Sequence, residues 1–174
     1  NEGWKHIISW DARDHQLFIV ALAAIYLLKD WKQVLILVTA FTIGHSITLA
    51  LAVTEVINVP TRWIEFLIPC TIIITAITNL FQKTFTPGSV RINYFLALFF
   101  GLIHGMGFAN ALKFILASDQ SLGWSLFAFN IGLEAGQVCV VLLVLFFSWL
   151  VVDLAKLKRK IWVIALSVVA FAFA

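Results

Sequence analysis

Val34-Leu35-Ile36-Leu37-Val38-Thr39-Ala40-Phe41-Thr42-Ile43-Gly44-His45-Ser46-Ile47-Thr48-Leu49-Ala50-Leu51-Ala52-Val53 runs for 20 residues without Asp, Glu, Lys or Arg. At 1.5 Å rise per residue a helix of that length covers about 30 Å, the hydrocarbon thickness of a bilayer. Glycine, histidine and hydroxyls stand in its middle. An ionisable side chain at that depth is expensive and by default has a function. Three other polar clusters interrupt apolar runs: Asp14-His15, Gly101-Leu102-Ile103-His104-Gly105, and Asn130, Glu134 and Gln137. The expectation is that the four clusters converge on one intramembrane site for a transition-metal ion.

Composition agrees with a membrane chain. Of 174 residues, 62% are hydrophobic and 12% charged, against about half and about a quarter in soluble domains. Cys70 and Cys139 both fall in apolar runs and suggest neither a disulfide framework nor a thiolate metal site. The single methionine, Met106, argues against the thioether ligands that suit Cu(I). No nucleic-acid partner is expected; the partners are a metal ion and the lipid bilayer. The numbering begins at Asn1 without a leader, which points to a removed signal peptide or a trimmed chain, since Trp4 to Asp14 is too polar to be a leader itself.

Outward from Val34–Val53, the sequence predicts an all-α bundle of about six transmembrane helices in one domain, residues 1–174. Asn1 to Arg13, with Trp4 and Trp10 among polar residues, reads as an interfacial segment. The first span is about Ala12 to Leu28. Pro60 stops the second helix, and the third span is about Trp63 to Phe81. Thr86-Pro87-Gly88-Ser89 is a turn. The fourth span is about Ile92 to Leu116, broken at Ser118-Asp119-Gln120-Ser121. The fifth, Leu122 to Val152, is longer than a bilayer requires and should tilt or pass the headgroups. Ile161 to Ala174 is a marginal sixth span.

Orientation follows the basic residues. Lys5, Arg13, Arg62 and Lys113 fall on one side; Lys29, Lys32, Lys83, Arg91, Lys156, Lys158, Arg159 and Lys160 fall on the other. The richer side is expected to be cytoplasmic, with the N-terminus outside, in the inner membrane of a bacterium.

Depth tests whether the clusters can meet. His45 lies about 12 Å from the outer end of its span, His104 about 13 Å, Glu134 about 16 Å and His15 roughly 10 Å. All four fall in one slab slightly outside the midplane. Asn130, Glu134 and Gln137, at i, i+4 and i+7, form one stripe. Gly101 and Gly105 make a small-xxx-small pair that lets a neighbouring helix approach, and Gly132 and Gly136 do the same on the face away from Glu134.

Each residue also has a plainer reading. A lone intramembrane histidine or asparagine is commonly an interhelical hydrogen bond. Asp14 suits the N-terminal end of a helix dipole, and Asp11 can pair with Arg13 or Lys5. Thr71, Thr75 and Thr78 are expected to bond back to their own helix. Glu134 is harder to dismiss, because a buried carboxylate costs several kcal/mol unless paired, protonated or bound to a cation. Jointly, three of the chain's four histidines lie at matching depth beside a carboxylate. Imidazole plus carboxylate suits Ni(II), Co(II), Zn(II) or Fe(II).

His6-Ile7, Asp14-His15-Gln16-Leu17-Phe18, Phe41-Thr42-Ile43-Gly44-His45-Ser46-Ile47-Thr48-Leu49, Phe100-Gly101-Leu102-Ile103-His104-Gly105-Met106-Gly107-Phe108-Ala109 and Phe129-Asn130-Ile131-Gly132-Leu133-Glu134-Ala135-Gly136-Gln137 together resemble the HupE/UreJ family of small membrane proteins. That family is regarded as nickel or cobalt permeases. The resemblance covers nearly the whole chain and implies His6, Asp14, His15, His45, His104 and Glu134 as the metal-binding set. Asp11 would help His6 collect the ion, and Ser46, Asn130 and Gln137 would orient the ligands. The expected function is inward permeation of a divalent transition metal, falling as pH drops through about 6, where histidine protonates. The alternative is an intramembrane zinc-dependent hydrolase with three histidines, a carboxylate base and Ser46, although no His-Glu-x-x-His occurs. A haem-binding electron carrier and a metal sensor complete the alternatives.

Overall fold

The computed structural model of the chain describes residues 2–82, 90–109, 112 and 122–174, with Asp11 and residues 90–92 described by their backbone alone. Among the described residues all regular structure is helical. The helices are α1 (Glu2–Ile8), α2 (Arg13–Ala23), α3 (Trp31–Val53), α4 (Thr61–Phe81), α5 (Val90–Gly107), α6 (Leu122–Ser148) and α7 (Arg159–Phe173). A wider π turn, Trp149–Leu154, prolongs α6. The turn Thr86–Ser89, the break at Ser118–Ser121, and Lys83 and Lys113 lie outside the described residues, as does the side chain of Arg91.

Among the described residues, three stretches are long and apolar enough to cross a bilayer: Leu28–Val53, Thr61–Phe81 and Leu122–Leu154. They coincide with the second, third and fifth expected spans. Of the other expected spans, the first is corrected, and the last is short, as its sequence suggests. α2 has 11 residues, about 16 Å of helix, because the chain turns at Ala24 and enters a 3-10 turn at Leu28–Asp30 before α3. α5 runs to Gly107 and the chain bends at Phe108; the expected end of the fourth span, Leu116, lies outside the described residues. α7 has 15 residues, about 22 Å.

The N-terminal segment is not interfacial throughout. Gly3 sits so close to α6 that a Cβ there would overlap the Phe129 carbonyl oxygen, and Ile7 packs on Gly136. Ile7 is fully buried, with Phe129 and Leu133 among its neighbours. At the other end of α2, Ser148 Oγ donates to the Tyr26 carbonyl at 3.5 Å. Thus α1 and α2 follow α6 in series and in the same direction, separated by the break Ser9–Ala12. Gln16 closes that break: its Nε2 donates to the carbonyls of Ile7 at 2.7 Å and Ser9 at 3.2 Å. Helix ends away from water need such partners.

The most extensive interface joins α3 and α5, and glycines make it. A Cβ at Gly44 would fall on the Leu98 carbonyl, one at Gly101 on the Phe41 carbonyl, and one at Gly105 on the His45 carbonyl. The two backbones meet as the small-xxx-small spacing requires. α4 packs on α2, α5 and α7.

Outward faces stay apolar, with Ile43, Ile47, Phe66, Phe95, Phe127 and Phe146 exposed. Helices apolar on all sides belong in lipid. The turn between α2 and α3 is tied at the lysine-rich end. Arg159 donates to the Ile25 carbonyl and stands 3.9 Å from Asp30, whose Oδ2 accepts the Leu27 N–H at 3.1 Å.

Candidate metal centre

His15 lies at the start of α2, His45 in the middle of α3, and His104 near the end of α5. The glycine seam fixes the second and third. Gly44 precedes His45, Gly105 follows His104, and the Gly105 backbone lies against the His45 carbonyl, so the two rings enter one space. The His15 ring centroid is 5.4 Å from His45, 4.9 Å from His104 and 5.1 Å from His6. All four imidazoles therefore gather around His15. Ligand atoms of Asp14, His15 and His104 lie within 4.8 Å of one another.

The hydrogen bonds leave a specific deficit. Asp14 Oδ1 accepts the His15 backbone N–H at 2.8 Å and stands 2.9 Å from His15 Nδ1. His104 Nε2 stands 3.0 Å from Thr71 Oγ1. His6 Nε2, His15 Nε2, both nitrogens of His45 and His104 Nδ1 are buried with no hydrogen-bond partner among the described residues. Buried polar atoms are ordinarily paired, and each unpaired one carries a desolvation cost of about 1–3 kcal/mol. Imidazole nitrogens without hydrogen-bond partners, gathered beside a carboxylate, are the donor types that suit a divalent transition-metal ion.

Aromatic rings enclose the cluster on two levels. Phe18, Phe41 and Phe100 each lie about one helical turn toward the lysine-rich end from His15, His45 and His104. Phe18 stacks on Phe41 at 4.9 Å and meets Phe100 edge-on at 5.7 Å. On the other side Phe108 stacks on Phe129 at 5.2 Å, and His6 lies 3.9 Å from Phe108. Asp14 also borders a cleft of about 420 Å³ shared with Trp10, Arg13, Leu17 and Pro69. On the inner side Phe100 borders a cavity of about 30 Å³ lined by Thr75, Thr78, Asn79, Gln82 and Asn93.

The remaining sequence candidates stand elsewhere. Glu134, like His6 and His45, is not in the group within 4.8 Å; unlike theirs, its ligand atom already has a partner, since its Oε1 accepts the Thr39 hydroxyl at 2.7 Å. Thr39 is six residues inward of His45, about 9 Å along α3, so the Glu134 side chain reaches away from the expected slab. Gln137 Oε1 accepts the Thr42 hydroxyl at 2.8 Å. Ser46 Oγ donates to the Thr42 carbonyl at 2.7 Å, and Asn130 Nδ2 to the Leu126 carbonyl at 2.9 Å. The Glu134 and Gln137 bonds join α3 to α6, those of Ser46 and Asn130 stay within their own helices, and none touches a histidine. The Asp11 side chain lies outside the described residues, and Lys5 pairs with Glu2 at 2.8 Å.

Sequence reasoning missed Thr71 as a histidine partner. Thr71, Thr75 and Thr78 do bond back to carbonyls of their own helix, but Thr71 reaches His104 as well. Pro69 was the available signal: a proline inside α4 removes one backbone bond and marks a place where local polar groups act. Gln16, which closes the α1–α2 break, was likewise passed over.

No curated protein and no solved structure matches the chain. The family described as HupE / UreJ protein matches residues 1–174, and with its whole length covered the chain belongs to that family.

Proposed function

We propose that the chain is a permease for a divalent transition-metal ion of the nickel or cobalt type, built from six crossings, with α1 and α2 together forming the first. One observation carries this reading: ligand atoms of Asp14, His15 and His104 lie within 4.8 Å of one another, and the rings of His6 and His45 stand 5.1 and 5.4 Å from that of His15, with unpartnered buried nitrogens on all four imidazoles. The metal is the substrate. It approaches through the Asp14 cleft, is held by His15, His104 and His45 with His6 above them, and leaves toward the lysine-rich cytoplasmic side. A broken crossing beside the site is the arrangement transporters use where polar backbone must line a path. Membership of the HupE/UreJ family supports the same substrate class. Asp14 keeps His15 in the tautomer that offers Nε2, as carboxylate partners of metal-binding histidines do.

The test is cobalt and nickel uptake by cells expressing the chain. Replacing His45 or His104 by Ala is expected to reduce uptake to the level of cells without the protein, with the variants still present in the membrane fraction. Undiminished uptake in both variants would overturn the reading.

A further inference from the structure

We propose that Thr71 is a positioning residue that fixes the tautomer of His104, so that Nδ1 presents its lone pair to the ion; this rests on the metal-binding reading above. The argument is a proton count. A threonine hydroxyl owns one hydrogen and two acceptor lone pairs. Thr71 Oγ1 lies 2.7 Å from the Ile68 carbonyl oxygen and 3.0 Å from His104 Nε2. The carbonyl can only accept, and two oxygens at 2.7 Å without a hydrogen between them repel. The Thr71 proton therefore goes to Ile68, and the hydroxyl can serve His104 only as an acceptor. His104 Nε2 must then carry the N–H, which leaves Nδ1 bare. Nδ1 is the His104 nitrogen that is buried without a partner.

The same logic holds across the cluster with a different partner. His15 Nδ1 faces the Asp14 carboxylate at 2.9 Å, and its unpartnered nitrogen is Nε2. Each of the two rings is thus held at one nitrogen and open at the other. His104 and Thr71 are both buried, at 0% and 2% exposure, so no water competes for either group. Without the Thr71 oxygen, His104 either leaves an N–H unpaired in the core or moves the hydrogen to Nδ1, where it blocks ligation. Loss of such an outer partner typically weakens metal binding about 10–100-fold.

The experiment uses the full chain in detergent micelles, titrated with Co(II), together with histidine 15N resonances of the metal-free protein. Thr71→Ser keeps the oxygen and is expected to bind Co(II) like the parent; Thr71→Val is isosteric without it and is expected to bind about 10–100-fold more weakly. The His104 resonances are expected to report Nε2–H in the parent and in Thr71→Ser. Parent-like affinity in Thr71→Val, or an Nδ1–H signature for His104 in the parent, overturns the proposal. Should Thr71→Val fail to fold, the parent's tautomer decides. Absence of Co(II) binding by the parent overturns the metal reading instead, while the tautomer still judges Thr71.

Discussion

Glu134 and His45 show how differently two intramembrane ionisable residues can be disposed. His45 is fully buried with both ring nitrogens unpartnered, a state that an ion relieves. Glu134 has its bond already, from Thr39 at 2.7 Å. The Thr39–Glu134 and Thr42–Gln137 pairs join α3 to α6 as interhelical hydrogen bonds do in lipid, each worth about 0.6 kcal/mol on average. Glu134→Gln keeps an acceptor for Thr39, so Co(II) affinity is expected to stay at the parent's value while His104→Ala loses it; parallel titrations of the two variants check this. A loss in Glu134→Gln equal to that in His104→Ala would return the carboxylate to the ligand set.

Among the elements, the α3–α5 seam depends on what glycine lacks. Gly101 against the Phe41 carbonyl and Gly44 against the Leu98 carbonyl leave no room for a methyl group, and the obstructing atoms are backbone. Gly101→Ala is expected to destabilise the bundle by about 1–3 kcal/mol, the usual cost of overpacking, read as a lower midpoint of unfolding in detergent. Gly123 offers the control, since a Cβ there meets nothing within 4 Å, so Gly123→Ala should leave the midpoint unchanged or raise it. The spacing of Gly101 and Gly105 made this seam legible, because small residues four apart have one use between membrane helices. The apolar lengths of α3, α4 and α6 were legible for the same reason: bilayer thickness sets them. Matching depth also placed His15, His45 and His104 together. What could not be read was the N-terminal path. Glu2–Ile8 looks interfacial by composition, and only its burial on α6 through Gly3 and Ile7 brings His6 to His15. Side-chain reach was equally hidden. Helix faces give the direction of a Cβ, so the stripe containing Glu134 was visible, but not that its carboxylate would turn inward to Thr39.

At the scale of the molecule, the buried histidine cluster has a different surface on each side. Asp14 connects it to the cleft beside Arg13 and Trp10. Toward the lysine-rich end, Phe18, Phe41 and Phe100 form an aromatic layer, and Phe100 also borders the cavity lined by Thr75, Thr78, Asn79, Gln82 and Asn93. At about 30 Å³ that cavity has room for a single water. On the permease reading proposed above, an ion leaving the histidines toward that cavity passes the aromatic layer, and that step is expected to limit release. Phe100 borders both the layer and the cavity, so its size should set the rate without setting the affinity. Phe100→Leu shortens the side chain at modest volume cost and is expected to raise the initial rate of cobalt uptake, while Phe100→Trp lowers it, with Co(II) affinity of the purified protein unchanged in both. Binding and transport separate only if the constriction lies outside the ligand set. Equal changes in affinity and rate would instead make Phe100 a wall of the binding site and move the limiting step elsewhere along the path.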